Sequence, residues 1–246
     1  MIIFLHIYRT GGTTIEQAFK RRFARCYKIK EFGNRRRDEH TLDELVKEIK
    51  NGALFDAVYG HFPLRESFRP HEVFTILREP VDRFISQYYF FTKKLEKIQI
   101  AFPESVEEGL MKYALEGPAS FLLDARRDLL VQFPAHDNVM ARAFAGVAMT
   151  ANVSKGAVSS AVAIRNLSSL RCVGITEEFQ KSMRLMSSAF GITSLSFKNA
   201  NVTSNRVRKN TLRSSTLRAI ERCNGIDMEL YAAGKDLFRA ALQTYI

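Results

Sequence analysis

Residues Met1 to Ile15, MIIFLHIYRTGGTTI, decide how the rest of the chain is read. The run Ile2–Ile7 is short, apolar and bounded by turn residues, which predicts a buried strand. Arg9-Thr10-Gly11-Gly12-Thr13-Thr14 then turns the chain, and Ile15-Glu16-Gln17-Ala18-Phe19 begins a helix. Thr13 and Glu16 have the three-residue spacing of a capping box, which predicts a helix start just after the glycines. A strand, a glycine turn and a helix aim several backbone N–H groups and the positive end of a helix dipole at one point, which suits a phosphate or sulfate. Gly11 and Gly12 allow close approach, the hydroxyls of Thr10, Thr13 and Thr14 add donors, and Arg9 adds charge. A nucleoside-triphosphate loop of the form GxxxxGK[ST] is absent, because no lysine–hydroxyl pair follows Gly12.

A chain of 246 residues can bury a sizeable core, and without repeats, low-complexity tracts or a clear linker it reads as a single domain over 1–246. Lys+Arg 37 against Asp+Glu 26 gives a net charge of +11 and a pI near 9.7, which favours an anionic partner. No apolar run approaches the roughly 18–20 residues of a membrane span. The first strand starts at Ile2 with no basic region before it, so no signal peptide is expected. Cys26, Cys172 and Cys223 are odd in number and outside any CxxC pattern; reduced thiols and a cytoplasmic location are the expectation. The five histidines form no HxxxH or HExxH pair, so no metal site is expected.

Further along, basic residues from Lys20 to Arg37 surround a short strand at Cys26–Ile29 and read mainly as a solvated face. Thr41 with Glu44 forms a second capping box, opening a helix that Asn51-Gly52 closes. Asp56–His61 is a strand that ends at a histidine, and residues just beyond the carboxyl ends of parallel strands line the ligand crevice of an open α/β sheet. His61 is therefore expected on the rim that carries Arg9. The strand Val73–Leu77 leads into Arg78-Glu79-Pro80, with Pro80 in the first turn of a helix. Val81, Phe84, Ile85, Tyr88 and Tyr89 make an apolar stripe expected to face the sheet, and Ser86 lies off it. Arg78 at the strand end and Ser86 on the helix are placed to hold one phosphate. Helical pieces are expected from Ser105 to Glu116 and near 119–130 and 138–145, as parts of an insertion spanning about 95–151. A helix at 157–167, a core strand at Arg171–Ile175 and a helix opened by Thr176-Glu177-Glu178 follow. The stretch 199–213 is basic, and two last helices break at Asn224-Gly225.

HIYRTGGTT resembles the 5′-phosphosulfate loop, commonly P-K-T-G-G-T-[ST], of sulfotransferases that use 3′-phosphoadenosine 5′-phosphosulfate (PAPS). Arg78 to Tyr88 resembles their 3′-phosphate motif, R-[DE]-P-x-x-R-x-x-S-x-[YF]. Tyr59-Gly60-His61 is similar to the H-G-H segment of the uronosyl 2-O-sulfotransferases, with tyrosine in place of the first histidine. Val173-Gly174-Ile175-Thr176-Glu177 resembles a later part of the carbohydrate enzymes. The resemblance implies an α/β, three-layer, P-loop-like fold with a central, mainly parallel sheet flanked by helices.

It also implies PAPS as sulfate donor, no metal, and a saccharide hydroxyl as acceptor; neither nucleic acid nor a membrane anchor is implied. Donor contacts would come from Arg9, Thr10, Gly11, Gly12, Thr13, Thr14, Arg78 and Ser86, with Arg206 in a basic loop over the nucleotide. His61 would be the general base, with Arg9 and the loop amides stabilising the leaving phosphate. The sequence departs from the family at Arg9, where lysine is usual, and at Tyr8, where proline is common. Two alternatives stay open: a P-loop nucleotide kinase or phosphotransferase, and a non-catalytic binder of adenosine 3′,5′-bisphosphate or of a polyanion. Oligomeric state is not legible.

Overall fold

The computed structural model describes residues 1–30, 39–68, 72–97, 105–117, 137–149, 158–193 and 207–246. Its centre is a six-stranded sheet of β1 (Ile2–Leu5), β2 (Cys26–Lys30), β3 (Glu39–His40), β4 (Ala57–His61), β5 (Glu72–Leu77) and β6 (Cys172–Ile175). The order is β3-β2-β4-β1-β5-β6, and every pairing is parallel. Parallel strands buried on both faces need near-continuous apolar sequence, which IIFL and EVFTIL supply. Ile3, Phe4, Leu5, Val58, Phe74 and Ile76 are almost fully excluded from solvent. The fold is the α/β sandwich expected, with the sheet parallel throughout.

The chain winds to β4 on one side of β1 and to β5 and β6 on the other, so a crevice opens beyond the carboxyl ends of the central strands. Gly60 lets β4 approach β2 there. Its φ is +147°, and a Cβ at this position would stand 1.9 Å from the Ile29 carbonyl oxygen.

The helices are α1 (Gly12–Arg22), α2 (Leu42–Lys50), α3 (Pro80–Glu96), α4 (Val106–Glu116), α5 (Val139–Phe144), α6 (Ser160–Ser168), α7 (Phe179–Ala189), α8 (Ser214–Cys223) and α9 (Gly225–Tyr245). The capping box at Thr41 and Glu44 is formed in full, and Ser105 accepts from the Glu108 amide. The one expected at Thr13 and Glu16 is not. Gly11, at φ 88°, is the N-cap and α1 starts at Gly12, because a left-handed glycine reverses the chain earlier than a threonine cap would. Glu16 is thereby left to bond elsewhere.

A second difference concerns α3. Its stripe of Val81, Phe84, Ile85 and Tyr88 does not lie on the sheet. It forms a separate apolar cluster with Leu110, Tyr113 and Ala114 of α4 and Ala219 and Ile220 of α8. Sequence periodicity shows that a helix buries one face, not what it buries it against. Within the span expected as an insertion, α5 packs in the main core through Val139, Met140, Ala143 and Phe144, whereas α4 belongs to the second cluster. The helix expected near 119–130 lies outside the described residues. Among the described residues no helix is long and apolar enough to cross a membrane.

Charge buried between these layers fixes α3. Arg83 and Asp227 are both excluded from water, with Nε 3.9 Å from Oδ2. Asp227 also accepts from the amides of Met140 and Ala141 at 3.2 and 2.7 Å. Burial raises the Asp227 carboxyl above its usual range, opposed by the Arg83 charge and these amide bonds.

Candidate functional site

The sequence Ile7–Thr14 leaves the end of β1 as a tight loop. Arg9 sits in the left-handed region at φ 68°, uncommon for a residue with a Cβ and worth about 1 kcal/mol or more of strain. Contacts from β5 and α3 hold it. Arg78, one residue beyond β5, donates from Nη1 to the Arg9 carbonyl at 2.9 Å. The Arg9 Nε donates to Ser86 Oγ on α3 at 3.2 Å. Its guanidinium also lies 5.0 Å from the centroid of the Phe90 ring, a cation–π contact. Thr176, just after β6, places its hydroxyl 2.9 Å from the carbonyls of both Thr10 and Leu77. The loop is thus tied to β5, β6 and α3 together.

The three loop threonines have separate environments. The Thr10 hydroxyl donates to the Ile7 carbonyl at 2.9 Å and is fully buried, so it shapes the turn. Thr14 is buried and its amide reaches the Gly11 carbonyl at 3.2 Å. Thr13 is exposed. The first turn of α1 presents amides that the helix itself cannot satisfy, beside the positive end of its dipole. Arg9, Arg78 and Ser86 are joined by hydrogen bonds at the loop that Gly11 and Gly12 lead into α1. Arg206 lies outside the described residues.

His61 ends β4 on the same rim. Its Nδ1 is 2.7 Å from the carbonyl oxygen of His6. A carbonyl only accepts, so His61 carries its proton on Nδ1 and its lone pair on Nε2. The ring lies between two others: His6 at 4.1 Å between centroids and Tyr8, stacked, at 3.9 Å. This burial, with the His6 charge added, holds the His61 imidazole well below its ordinary 6.5; Glu16 and the bond to the His6 backbone oppose the shift.

Sequence reasoning passed over His6 and Glu16. His6 Nδ1 meets Glu16 Oε1 at 2.7 Å, and Lys28 Nζ lies 3.8 Å from the other oxygen. Burial raises the Glu16 carboxyl, but the hydrogen bond from His6 and the charges of His6, His61 and Lys28 outweigh it, so the net shift is downward. His6, Glu16 and His61 each place one possible metal-ligand atom within 4.8 Å of the others. They come from β1's extension, α1 and β4, so no sequence spacing reveals them. Both Nδ1 atoms are already engaged, one with the carboxylate and one with a carbonyl.

The depressed His61 has a consequence for stability. The unfolded chain takes up a proton there near pH 6.5 and the folded chain does not, so the native state is favoured fully above that pH and loses ground as pH falls below it. Thermal melts from neutrality to about pH 5 are expected to show a falling Tm whose slope is shallower in His61→Gln. Parallel slopes would contradict the burial of a neutral imidazole. The contribution of Glu16 disappears only at lower pH, as its own carboxylate takes up a proton.

The pattern that defines the Sulfotransferase family matches residues 1–232. The chain belongs to the sulfotransferase family. The match runs from β1 into α9 and so includes every element that builds this rim. No curated protein matches the chain at a level that supports comparison. Membership makes this sulfotransferase an enzyme of sulfuryl transfer, with PAPS the donor the family implies.

Proposed function

We propose that this chain transfers the sulfuryl group of PAPS to an acceptor hydroxyl, with His61 as general base and Arg9 and the loop amides stabilising the leaving phosphate. The observation that carries this reading is His61 itself. A neutral imidazole whose Nδ1 proton is held by the His6 carbonyl has its lone pair on Nε2, and the residue ends β4 at the same edge of the sheet as the glycine loop after β1. In this reading the acceptor O–H gives its proton to Nε2 as its oxygen attacks sulfur. The bond from sulfur to the bridging phosphate oxygen breaks, and the electron pair stays on that oxygen. Amides at the start of α1 and the Arg9 guanidinium meet the charge that develops there.

Arg78 and Ser86 fit a second phosphate, the 3′-phosphate of the nucleotide. Arg78 also has a structural task, because its bond to the Arg9 carbonyl supports the loop. Arginine in place of the family's lysine at position 9 keeps the charge as a wider planar fork that does not give up a proton near neutral pH. Its role is accordingly electrostatic. A saccharide is the proposed acceptor on the strength of the resemblance.

Calorimetric titration with adenosine 3′,5′-bisphosphate, ADP and 5′-AMP, in the presence of EDTA, tests the donor site. Selective binding of the 3′,5′-bisphosphate, at least about tenfold tighter than ADP, is expected if both phosphate segments act. Equal affinities would remove the nucleotide basis of the reading. A requirement for Mg²⁺ would favour a phosphotransferase.

A further inference from the structure

A general base is useful only if its ring is held in one tautomer and one orientation. The His61 ring makes one hydrogen bond to the main chain, from Nδ1 to the His6 carbonyl, and that leaves the ring free to tilt about it unless its faces are packed. Those faces meet His6 and Tyr8. The position of the His6 ring is set in turn by two features. Glu16 binds its Nδ1 at 2.7 Å, and the ring fills the space a side chain at Gly12 would need, since a Cβ there would come within 2.0 Å of it.

We infer that His6 and Glu16 are positioning residues for His61: Glu16 on α1 locks the His6 ring beneath the donor loop, and His6, through its carbonyl and its ring, holds His61 with Nε2 facing the acceptor. This rests on the functional reading above and adds two residues to it. Because α1 begins at the donor loop, the same carboxylate couples the loop's helix to the base on β4. Gly12 acquires a second reason to be glycine: it admits the ring as well as the anion.

The charges around His61 make the inference testable. The charges that act on it are those of His6 from the end of β1, Glu16 from α1 and Lys28 from β2, and the neutral Tyr8 ring stacks on it. The Glu16 carboxylate favours the protonated imidazole, whereas the His6 charge disfavours it. Removing each should therefore move His61 in opposite directions.

Long-range ¹H–¹⁵N NMR on the whole protein reads the tautomer and titration midpoint of His61 directly. The wild-type chain should show the proton on Nδ1. Glu16→Gln, which keeps the side-chain shape, should lower the midpoint; His6→Gln should raise it. In PAPS-dependent transfer, both variants should lose about tenfold in kcat while the donor KM changes less than about twofold. Should His6→Gln fail to fold because its ring fills the space beside Gly12, the isosteric Glu16→Gln still decides. An unchanged midpoint and tautomer in the folded Glu16→Gln chain would overturn the inference. If His61 responds as described but the wild-type chain neither binds the 3′,5′-bisphosphate nor transfers sulfate, the functional reading fails while the His6–Glu16 network stands.

Discussion

His61→Ala should lower kcat for sulfuryl transfer by about 10²–10⁴-fold, the usual contribution of a placed proton acceptor, while adenosine 3′,5′-bisphosphate binds as it does to the wild type. The separation follows from the geometry. The loop at Arg9 and Thr10 is held by Arg78, Ser86 and Thr176 through bonds that do not involve the His61 side chain. What His61→Ala removes is the ring between His6 and Tyr8 and the only imidazole in that stack whose Nδ1 proton is committed to a carbonyl.

His61→Asn serves as the companion variant, since its amide can still donate to the His6 carbonyl and fill part of the space. A comparable loss of kcat in both, with calorimetry unchanged, identifies the lone pair as the missing element. Lost nucleotide binding in both would make His61 a structural residue. The pH profile adds a separate check. Burial depresses the imidazole, so the acid limb of kcat/KM is expected below the ordinary 6.5, and activity should hold through neutrality.

The strand, glycine turn and helix of the Arg9–Thr14 loop were legible in sequence because local chain geometry builds them. A β-branched run, two glycines and a helical pattern within fifteen residues dictate strand, turn and helix without help from distant residues. The rim position of His61 was legible for a similar reason: it ends an apolar run, and strand ends in a parallel sheet share one edge. His6 and Glu16 were not. His6 sits inside the first strand's apolar run and looks like a core residue, and Glu16 had an adequate explanation as a capping partner.

What joins them is the left-handed turn at Gly11, which starts α1 one residue after the glycine and turns Glu16 towards β1. That geometry depends on the loop's tertiary ties to Arg78 and Thr176, which come from segments far along the chain. The partner of the α3 stripe was hidden for the same reason. Only the folded chain brings α4 and α8 against Val81, Phe84 and Tyr88.

The largest loss of stability is expected from Asp227→Ala. Arg83 belongs to the segment read as a phosphate motif, yet the fold gives it an internal partner. It is excluded from solvent with Asp227 at 3.9 Å and the Asn224 amide oxygen at 3.4 Å. Removing one member of a buried ion pair leaves the other charge without compensation and typically costs about 3–5 kcal/mol. Here the loss extends further, because Asp227 also receives the amides of Met140 and Ala141. Differential scanning calorimetry should therefore show a large fall in Tm. Asp227→Asn, which keeps an acceptor for one amide but not the charge, should lie between the two.

A functional trace is expected as well. Arg83 and Ser86 are neighbours on α3, so loosening the buried pair frees the helix that presents Ser86 to Arg9. In Asp227→Asn at a temperature where the chain is folded, affinity for the 3′,5′-bisphosphate should fall more than affinity for 5′-AMP. Equal affinities for both ligands in variant and wild type, together with a lowered Tm, would confine the pair to stability and separate it from the donor site.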